Sequence, residues 1–115
     1  MLIENEKFNK RDLDYYFKER KTDFSRLAII YLTIKEDAKR SKIFKSDGKI
    51  ETGLNLVKIH EKTGLGPSLI VKKLKELNDL GIIEYDRFGT QIRIYFNPKN
   101  ENCSYLDKLI EKTNE

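Results

Sequence analysis

Apolar residues recur every three or four positions along much of this sequence, as they do on the buried face of a helix. Near the N-terminus the spacing predicts a short helix over residues 9–20, with Asn9 as its N-cap. A longer helix follows, capped by Thr22 or Asp23 and continuing to about Lys39. Its apolar face consists of Phe24, Leu27, Ala28, Ile30, Tyr31 and Ile34.

Two shorter helices are predicted in the middle of the chain. The first begins after Asn55, a good N-cap, and ends at Gly64, because glycine readily adopts the left-handed conformation that ends helices. The second begins at Pro67, whose fixed φ suits a first helical turn, and closes at Gly81. Its apolar stripe has the spacing i, i+4, i+7 and consists of Ile70, Leu74 and Leu77.

The pattern changes to strands on either side of these helices. Residues 49–54 suit a short strand, and residues 82–88 and 91–96 suit a hairpin that turns at Gly89-Thr90. In the second hairpin strand apolar and polar residues alternate, so one face is buried and the other faces water. A last amphipathic helix is predicted over residues 103–113.

Length and composition limit the classes of protein to consider. A chain of 115 residues suits one domain over residues 1–115. No apolar run or N-terminal signal indicates a membrane span or secretion, so we expect a cytoplasmic protein.

With one cysteine, Cys103, and one histidine, His60, we expect neither a disulfide nor a metal site. We interpret His60 as a partly buried structural residue and Cys103 as an inert or weakly exposed thiol. No phosphate-binding glycine loop or nucleophile elbow occurs, so we expect no cofactor and no enzymatic activity.

The order of the central elements points to a known fold. Residues 54–85, LNLVKIHEKTGLGPSLIVKKLKELNDLGIIEY, resemble the winged helix-turn-helix core of MarR-like and ArsR-like regulators and of their archaeal and viral relatives. The resemblance extends over residues 24–98. It implies an α+β, mostly helical fold with a three-helix core and a β-hairpin wing over residues 22–98, extended by N-terminal and C-terminal helices. The expected seam, which is the apolar contact between the two helices of the motif and the first long helix, consists of Leu54, Ile59, Leu65, Ile70, Leu74 and Leu77.

The resemblance also implies a function, that of a sequence-specific duplex DNA-binding protein that regulates transcription as a repressor or accessory factor. In such folds the second helix of the motif enters the major groove and the wing can enter a minor groove. The corresponding residues are Pro67, Ser68, Leu69, Lys72, Lys73 and Lys75 on the helix and Arg87 and Thr90 on the wing.

Other interpretations of these residues remain open. Lysines on a helix face are also typical of a solvated surface. Leu69 and Val71 lie off the apolar stripe and can contact thymine methyls, pack under the wing or fill a partner's groove. The last of these favours a winged-helix module that binds a protein within a replication or transcription complex. A replication initiator domain would use the same surface. The net charge of +4 is too small to decide between a DNA partner and a protein partner. The basic residues 39–45 suit either contacts with phosphates or an interaction with the dipole at the end of a helix.

The two terminal helices lie outside the motif, and each carries a stripe of aromatic and aliphatic residues. Proteins similar to this one commonly form a two-fold homodimer through such helices. The dimer places the two helices that enter the major groove, the reading helices, about one DNA turn apart. We therefore predict a homodimer, although the two helices can instead pack on each other in a monomer. The predicted interface consists of Leu13, Tyr16, Phe17, Tyr105, Leu106, Leu109 and Ile110.

Overall fold

The protein, seen here in a computed structural model that describes residues 7–88 and 91–114, has an α+β fold. Five helices and a three-stranded antiparallel sheet lie within these residues. The helices are α1 (Lys10–Glu19), α2 (Lys21–Arg40), α3 (Leu56–Thr63), α4 (Pro67–Asp79) and α5 (Glu101–Thr113). The strands are β1 (Ile50–Glu51), β2 (Ile83–Phe88) and β3 (Gln91–Phe96). The α+β class and the five helices predicted from the sequence are confirmed.

Asparagine side chains begin three of the helices. Asn9 caps α1 in a capping box with Asp12, and Asn55 caps α3 by accepting a hydrogen bond from the Lys58 amide at 2.8 Å. Both caps were predicted. Asn100 caps α5, which therefore begins two residues before the predicted start, because the pattern located only its first apolar residue.

The start of α2 differs from the prediction. Neither Thr22 nor Asp23 caps this helix, which already begins at Lys21. Arg20 both ends α1 and begins α2, so no residue remains between them to act as a separate cap. Asp23 lies in the first helical turn and accepts a hydrogen bond from Arg20 Nε at 3.1 Å.

The sheet has the order β1–β3–β2, with Ile83 opposite Phe96 and Arg87 opposite Ile92. The predicted turn at Gly89-Thr90 lies outside the described residues. The alternation predicted for β3 is confirmed, since Ile92, Ile94 and Phe96 are all buried. Strand β1 is shorter than the predicted 49–54. The Thr52 amide still bonds to the Ile94 carbonyl oxygen, but the Leu54 amide, which would continue the ladder, bonds to Thr52 Oγ1 instead.

One hydrophobic core joins the central helices, the sheet and both terminal helices. Leu27, Ile34, Ile70, Leu74 and Ile94 are completely buried in it. Cys103 is buried as well, with its Sγ 3.4 Å from the Asn97 carbonyl oxygen. No helix in the described parts of the chain is long and apolar enough to cross a membrane.

The terminal helices require a correction to the predicted dimer interface. Leu13 and Leu106 have no exposed surface and Leu109 is 5 % exposed, so these three side chains are already covered within one copy of the chain. They therefore offer almost no surface to a second copy. The remaining four predicted interface residues are half-buried and pack against the same core: Tyr16, Phe17, Tyr105 and Ile110.

Direct contacts also join the terminal helices to the rest of the chain. The Tyr105 hydroxyl donates a hydrogen bond to the Asp14 carboxylate, which links α5 to α1. The Tyr31 hydroxyl donates to Asp107 Oδ1 at 2.9 Å, which links α2 to α5. These contacts hold the terminal helices against each other and against the core within one chain, and the homodimer stays a prediction.

Candidate nucleic-acid interface

Helices α3 and α4 are joined by a tight turn that sets their relative orientation. Gly64 ends α3 with a φ of 76°, and its amide donates to the His60 carbonyl oxygen at 2.7 Å. His60 Nδ1 lies 2.7 Å from the carbonyl oxygen of Leu65, and since a carbonyl can only accept, Nδ1 donates the proton. His60 is exposed, so its predicted partial burial was wrong. Its exposed ring instead stabilises the turn through this hydrogen bond to Leu65.

The seam between the two helices consists of the predicted apolar residues. Ile59 on α3 and Ile70, Leu74 and Leu77 on α4 have no exposed surface, and Leu54 before α3 is 3 % exposed. Leu65 in the turn is half-buried and packs against the same core. Because α4 rests on its apolar stripe, the opposite side of this helix faces outward.

The outward side of α4 carries most of the residues predicted to contact DNA. Pro67, Ser68, Lys72 and Lys75 are all exposed, and neither lysine forms a salt bridge within residues 7–88 and 91–114. Gly66 precedes α4 and supplies no side-chain cap, so the Ser68 amide at the start of this helix is available to another acceptor. The outward side therefore offers two ammonium groups, a hydroxyl and a free amide.

The apolar residues beside this surface are less exposed than the sequence suggested. Leu69 and Val71 are both half-buried, so they do not form the exposed apolar pair that would favour a protein-binding surface on α4.

Lys73, the third lysine assigned to this surface, does not lie on it. Its side chain has no exposed surface, and Nζ lies 3.0 Å from Glu76 Oε1 and 3.6 Å from Asp23 Oδ1. The same ammonium group lies 4.4 Å from the centre of the Tyr16 ring. The predicted outward orientation of Lys73 is therefore wrong, because α1 and α2 cover this flank of α4.

Tyr16 completes the buried polar cluster. Its hydroxyl donates to Glu76 Oε2 at 2.5 Å, and burial together with this hydrogen bond raises the pKa of Tyr16 far above its usual range. Glu76 Oε1 accepts no hydrogen bond from any described residue, so its contact with Lys73 is an ion pair without hydrogen-bond alignment. The cluster holds α1 against α4.

The β2–β3 ribbon packs beside the C-terminal half of α4. The Tyr85 amide donates to Asn78 Oδ1 at 3.3 Å, which joins β2 to α4. Arg87, near the end of β2, is exposed as predicted, and so is Phe88. Thr90, the other predicted wing residue, lies outside the described residues.

A groove that the sequence did not reveal lies between the start of α3 and strand β3. Its volume is about 430 Å³, and it is lined by residues 52–57 and 91–93. Arg93 is exposed at this groove, as is Val57. The alternation in β3 had placed Arg93 on the polar face of the strand. Its proximity to α3 depends on packing between residues distant in the sequence and could not be predicted.

Comparison of the chain with protein-family models, curated proteins and solved structures finds no match. Within the described residues, no group of three or more His, Cys, Asp and Glu side chains is placed to hold a metal ion. The functional interpretation therefore depends on the geometry of the chain itself.

Proposed function

We propose that residues 24–98 form a winged helix-turn-helix that binds duplex DNA and regulates transcription without catalysing a reaction. The observation that carries the proposal is the outward side of α4, where Ser68, Lys72 and Lys75 are exposed on a helix seated by its opposite face. A helix in this position can enter the major groove of DNA.

The order of the elements supports the same proposal. Helices α2, α3 and α4 surround one core, and the β2–β3 ribbon follows α4 directly. In a winged helix-turn-helix these parts correspond to the three-helix core, with α4 as the reading helix, and to the wing. Arg87 on the ribbon would then contact DNA beside the surface that α4 reads.

The chemistry of α4 suits phosphates and base edges. Lys72 and Lys75 have no carboxylate partner among the described residues, so their charge is available to the DNA backbone. The Ser68 hydroxyl and the free amides of the first turn can donate hydrogen bonds to a phosphate oxygen. The exposed Arg93 lies at the groove between α3 and β3, where its guanidinium can bind a further phosphate.

The proposal is tested by measuring duplex DNA affinity over a range of salt concentrations. Lys72→Ala and Lys75→Ala should each weaken binding and reduce the slope of log K against log salt by about one unit, because each removes one phosphate contact. Lys108→Ala is the matched control, since Lys108 is an exposed lysine on α5, away from α4. It should leave the slope unchanged.

Sequence specificity is tested by selection from a random duplex pool. A recovered consensus would identify the binding site, and its symmetry would report whether one or two copies bind. If both α4 variants bound duplex DNA as tightly as the parent protein at every salt concentration, α4 would not be the reading helix.

A further inference from the structure

The residues before β1 extend the three-stranded sheet by a single β-bridge. Phe44 pairs with Ile50, with hydrogen bonds on either side from the Glu51 amide to the Ile43 carbonyl oxygen and from the Lys45 amide to the Lys49 carbonyl oxygen. Residues 42–45 are therefore the outermost backbone on this side of the sheet. We refer to residues 42–45 as the edge segment.

The edge segment has backbone groups that are free to pair with another strand. In an antiparallel pair, a residue flanked by hydrogen bonds in this way directs its own amide and carbonyl away from the partner strand. The Phe44 amide and carbonyl thus point outward, and neither is hydrogen-bonded to any residue in the described parts of the chain. An edge residue with both backbone groups free can begin the pairing of an added strand.

The side chains of the edge segment are unusually apolar for an open edge. Ile43 is 60 % exposed and Phe44 is 66 % exposed. Phe44 continues the row formed by Ile83, Phe96 and Ile50 across the sheet, in which Ile83 and Phe96 are almost fully buried. A segment that served only to prevent edge pairing would carry charged residues at these positions.

The charges around the edge segment define the partner. Lys42 and Lys45 flank the apolar pair. Lys39 and Arg40 precede it, and Arg40 is paired with Glu36 at 3.3 Å. Lys45 and Lys49 share one carboxylate, Glu84, at 4.0 Å and 2.6 Å. Antiparallel pairing of two copies through the Phe44 amide and carbonyl would place Phe44 opposite Phe44 and Lys45 opposite Ile43, so no carboxylate of the second copy would lie opposite Lys42 or Lys45.

We propose that the edge segment docks an extended segment of a partner protein in which two apolar residues are flanked by acidic residues. The partner would add a strand to the sheet through the Phe44 amide and carbonyl, with its apolar residues beside Ile43 and Phe44 and its carboxylates beside Lys42 and Lys45. This site is separate from the proposed DNA surface, because β1 pairs with the end of β3 remote from Gln91 and the wing.

The test is a selection of random peptides displayed on phage against the full chain. The expected peptides carry the pattern acidic, apolar, apolar, acidic. Phe44→Pro removes the outward amide and leaves both inward hydrogen bonds of the pair intact, since these use the Ile43 carbonyl oxygen and the Lys45 amide. Phe44→Ser removes the apolar contact alone. Each variant should weaken binding of the selected peptides at least about tenfold.

Phe88→Ser is the matched control, because Phe88 is a similarly exposed aromatic residue at the wing end of the sheet. It should leave peptide affinity unchanged. The proposal is overturned if no such pattern is enriched, or if peptides bind Phe44→Pro and Phe44→Ser as they bind the parent protein. It is also overturned if single-stranded DNA, rather than peptide, is the ligand lost in Phe44→Ser. These results are independent of duplex DNA binding, which Phe44→Ser should not change.

Discussion

Lys73 Nζ lies 3.0 Å from Glu76 Oε1, and this ion pair is buried where α1 and α2 meet α4. Asp23 approaches the same ammonium group at 3.6 Å, and the Tyr16 hydroxyl donates to the other Glu76 oxygen. A buried charge is stable only while it is paired, so these side chains depend on one another. The pair therefore contributes to the position of α1 rather than to a binding surface.

We predict that Lys73→Ala lowers the free energy of unfolding by about 3–5 kcal/mol, because it leaves the buried Glu76 carboxylate without a cation. Lys72→Ala, at the neighbouring exposed position, should change it by less than about 0.5 kcal/mol. Urea denaturation measures both.

A double variant separates lost charge from lost packing. Lys73→Met with Glu76→Gln removes both charges and keeps an oxygen for the Tyr16 hydroxyl, so it should recover most of the stability that Lys73→Ala loses. Equal stability of Lys73→Ala and Lys72→Ala would mean that Lys73 is not buried.

The burial of Leu106 gives a prediction about the source of stability. Leu106→Ala should lower the free energy of unfolding by about 2–5 kcal/mol, because it leaves a cavity in a fully buried position. The loss should be the same at protein concentrations of about 2 and about 200 µM, since the contacts of Leu106 lie within one chain. Ile43→Ala, at an exposed position, serves as the control. A loss that appears only at high protein concentration would restore the dimer interface.

Much of the fold follows from local patterns. The stripe Ile70, Leu74 and Leu77 predicted α4, and the residue types Asn55 and Gly64 predicted both ends of α3, because helix periodicity and capping are decided by neighbours in the sequence. The start of α2 was misplaced because the same local rules offered Thr22 and Asp23 as caps, while the structure places α1 directly before it.

The candidate site was less predictable, because exposure is decided by elements distant in the sequence. Lys73 lies at the border of the apolar stripe, and its burial depends on Tyr16, which is 57 residues away. For the terminal helices the apolar stripes were predicted, but a stripe does not specify whether its own core or a second copy covers it. Leu13 shows that the core does.

Cys103 gives a prediction about alkaline pH. Burial, and then the nearby Asp107, raise the pKa of the Cys103 thiol from its usual value of 9.0 to about 11. The unfolded chain therefore loses this proton first as the pH rises. The neutral Cys103 thiol thus contributes about 2–3 kcal/mol to the free energy of unfolding. This contribution is complete below pH 9 and is lost between pH 9 and pH 11.

The measurement is the free energy of unfolding of the parent protein and of Cys103→Ala at several pH values from 8 to 11. Tyrosines with raised pKa values contribute to both curves, so only the difference between them reports the thiol. That difference should shrink as the pH rises. Two parallel curves would show that the thiol titrates alike in the folded and unfolded chains.

Gly81 gives the sharpest test of the backbone at the junction of α4 and the sheet. Its φ is 81°, and a Cβ at this position would lie 2.5 Å from Asn100 Nδ2. Asn100 cannot move freely, because its Oδ1 caps α5 through the Asn102 amide. Gly81→Ala should therefore lower the free energy of unfolding by about 2–4 kcal/mol, combining backbone strain with the clash.

Two other glycines separate these contributions. Gly64 has a similar φ of 76° but open space around its Cβ position, so Gly64→Ala should cost only the backbone strain, about 1–2 kcal/mol. At Gly53, φ lies outside the left-handed region and the nearest atom is 3.9 Å away, so Gly53→Ala should be neutral or stabilising. Urea denaturation of the three variants should rank them in this order. If Gly81→Ala lost no more stability than Gly64→Ala, the contact between the α4 junction and the cap of α5 would not constrain the fold.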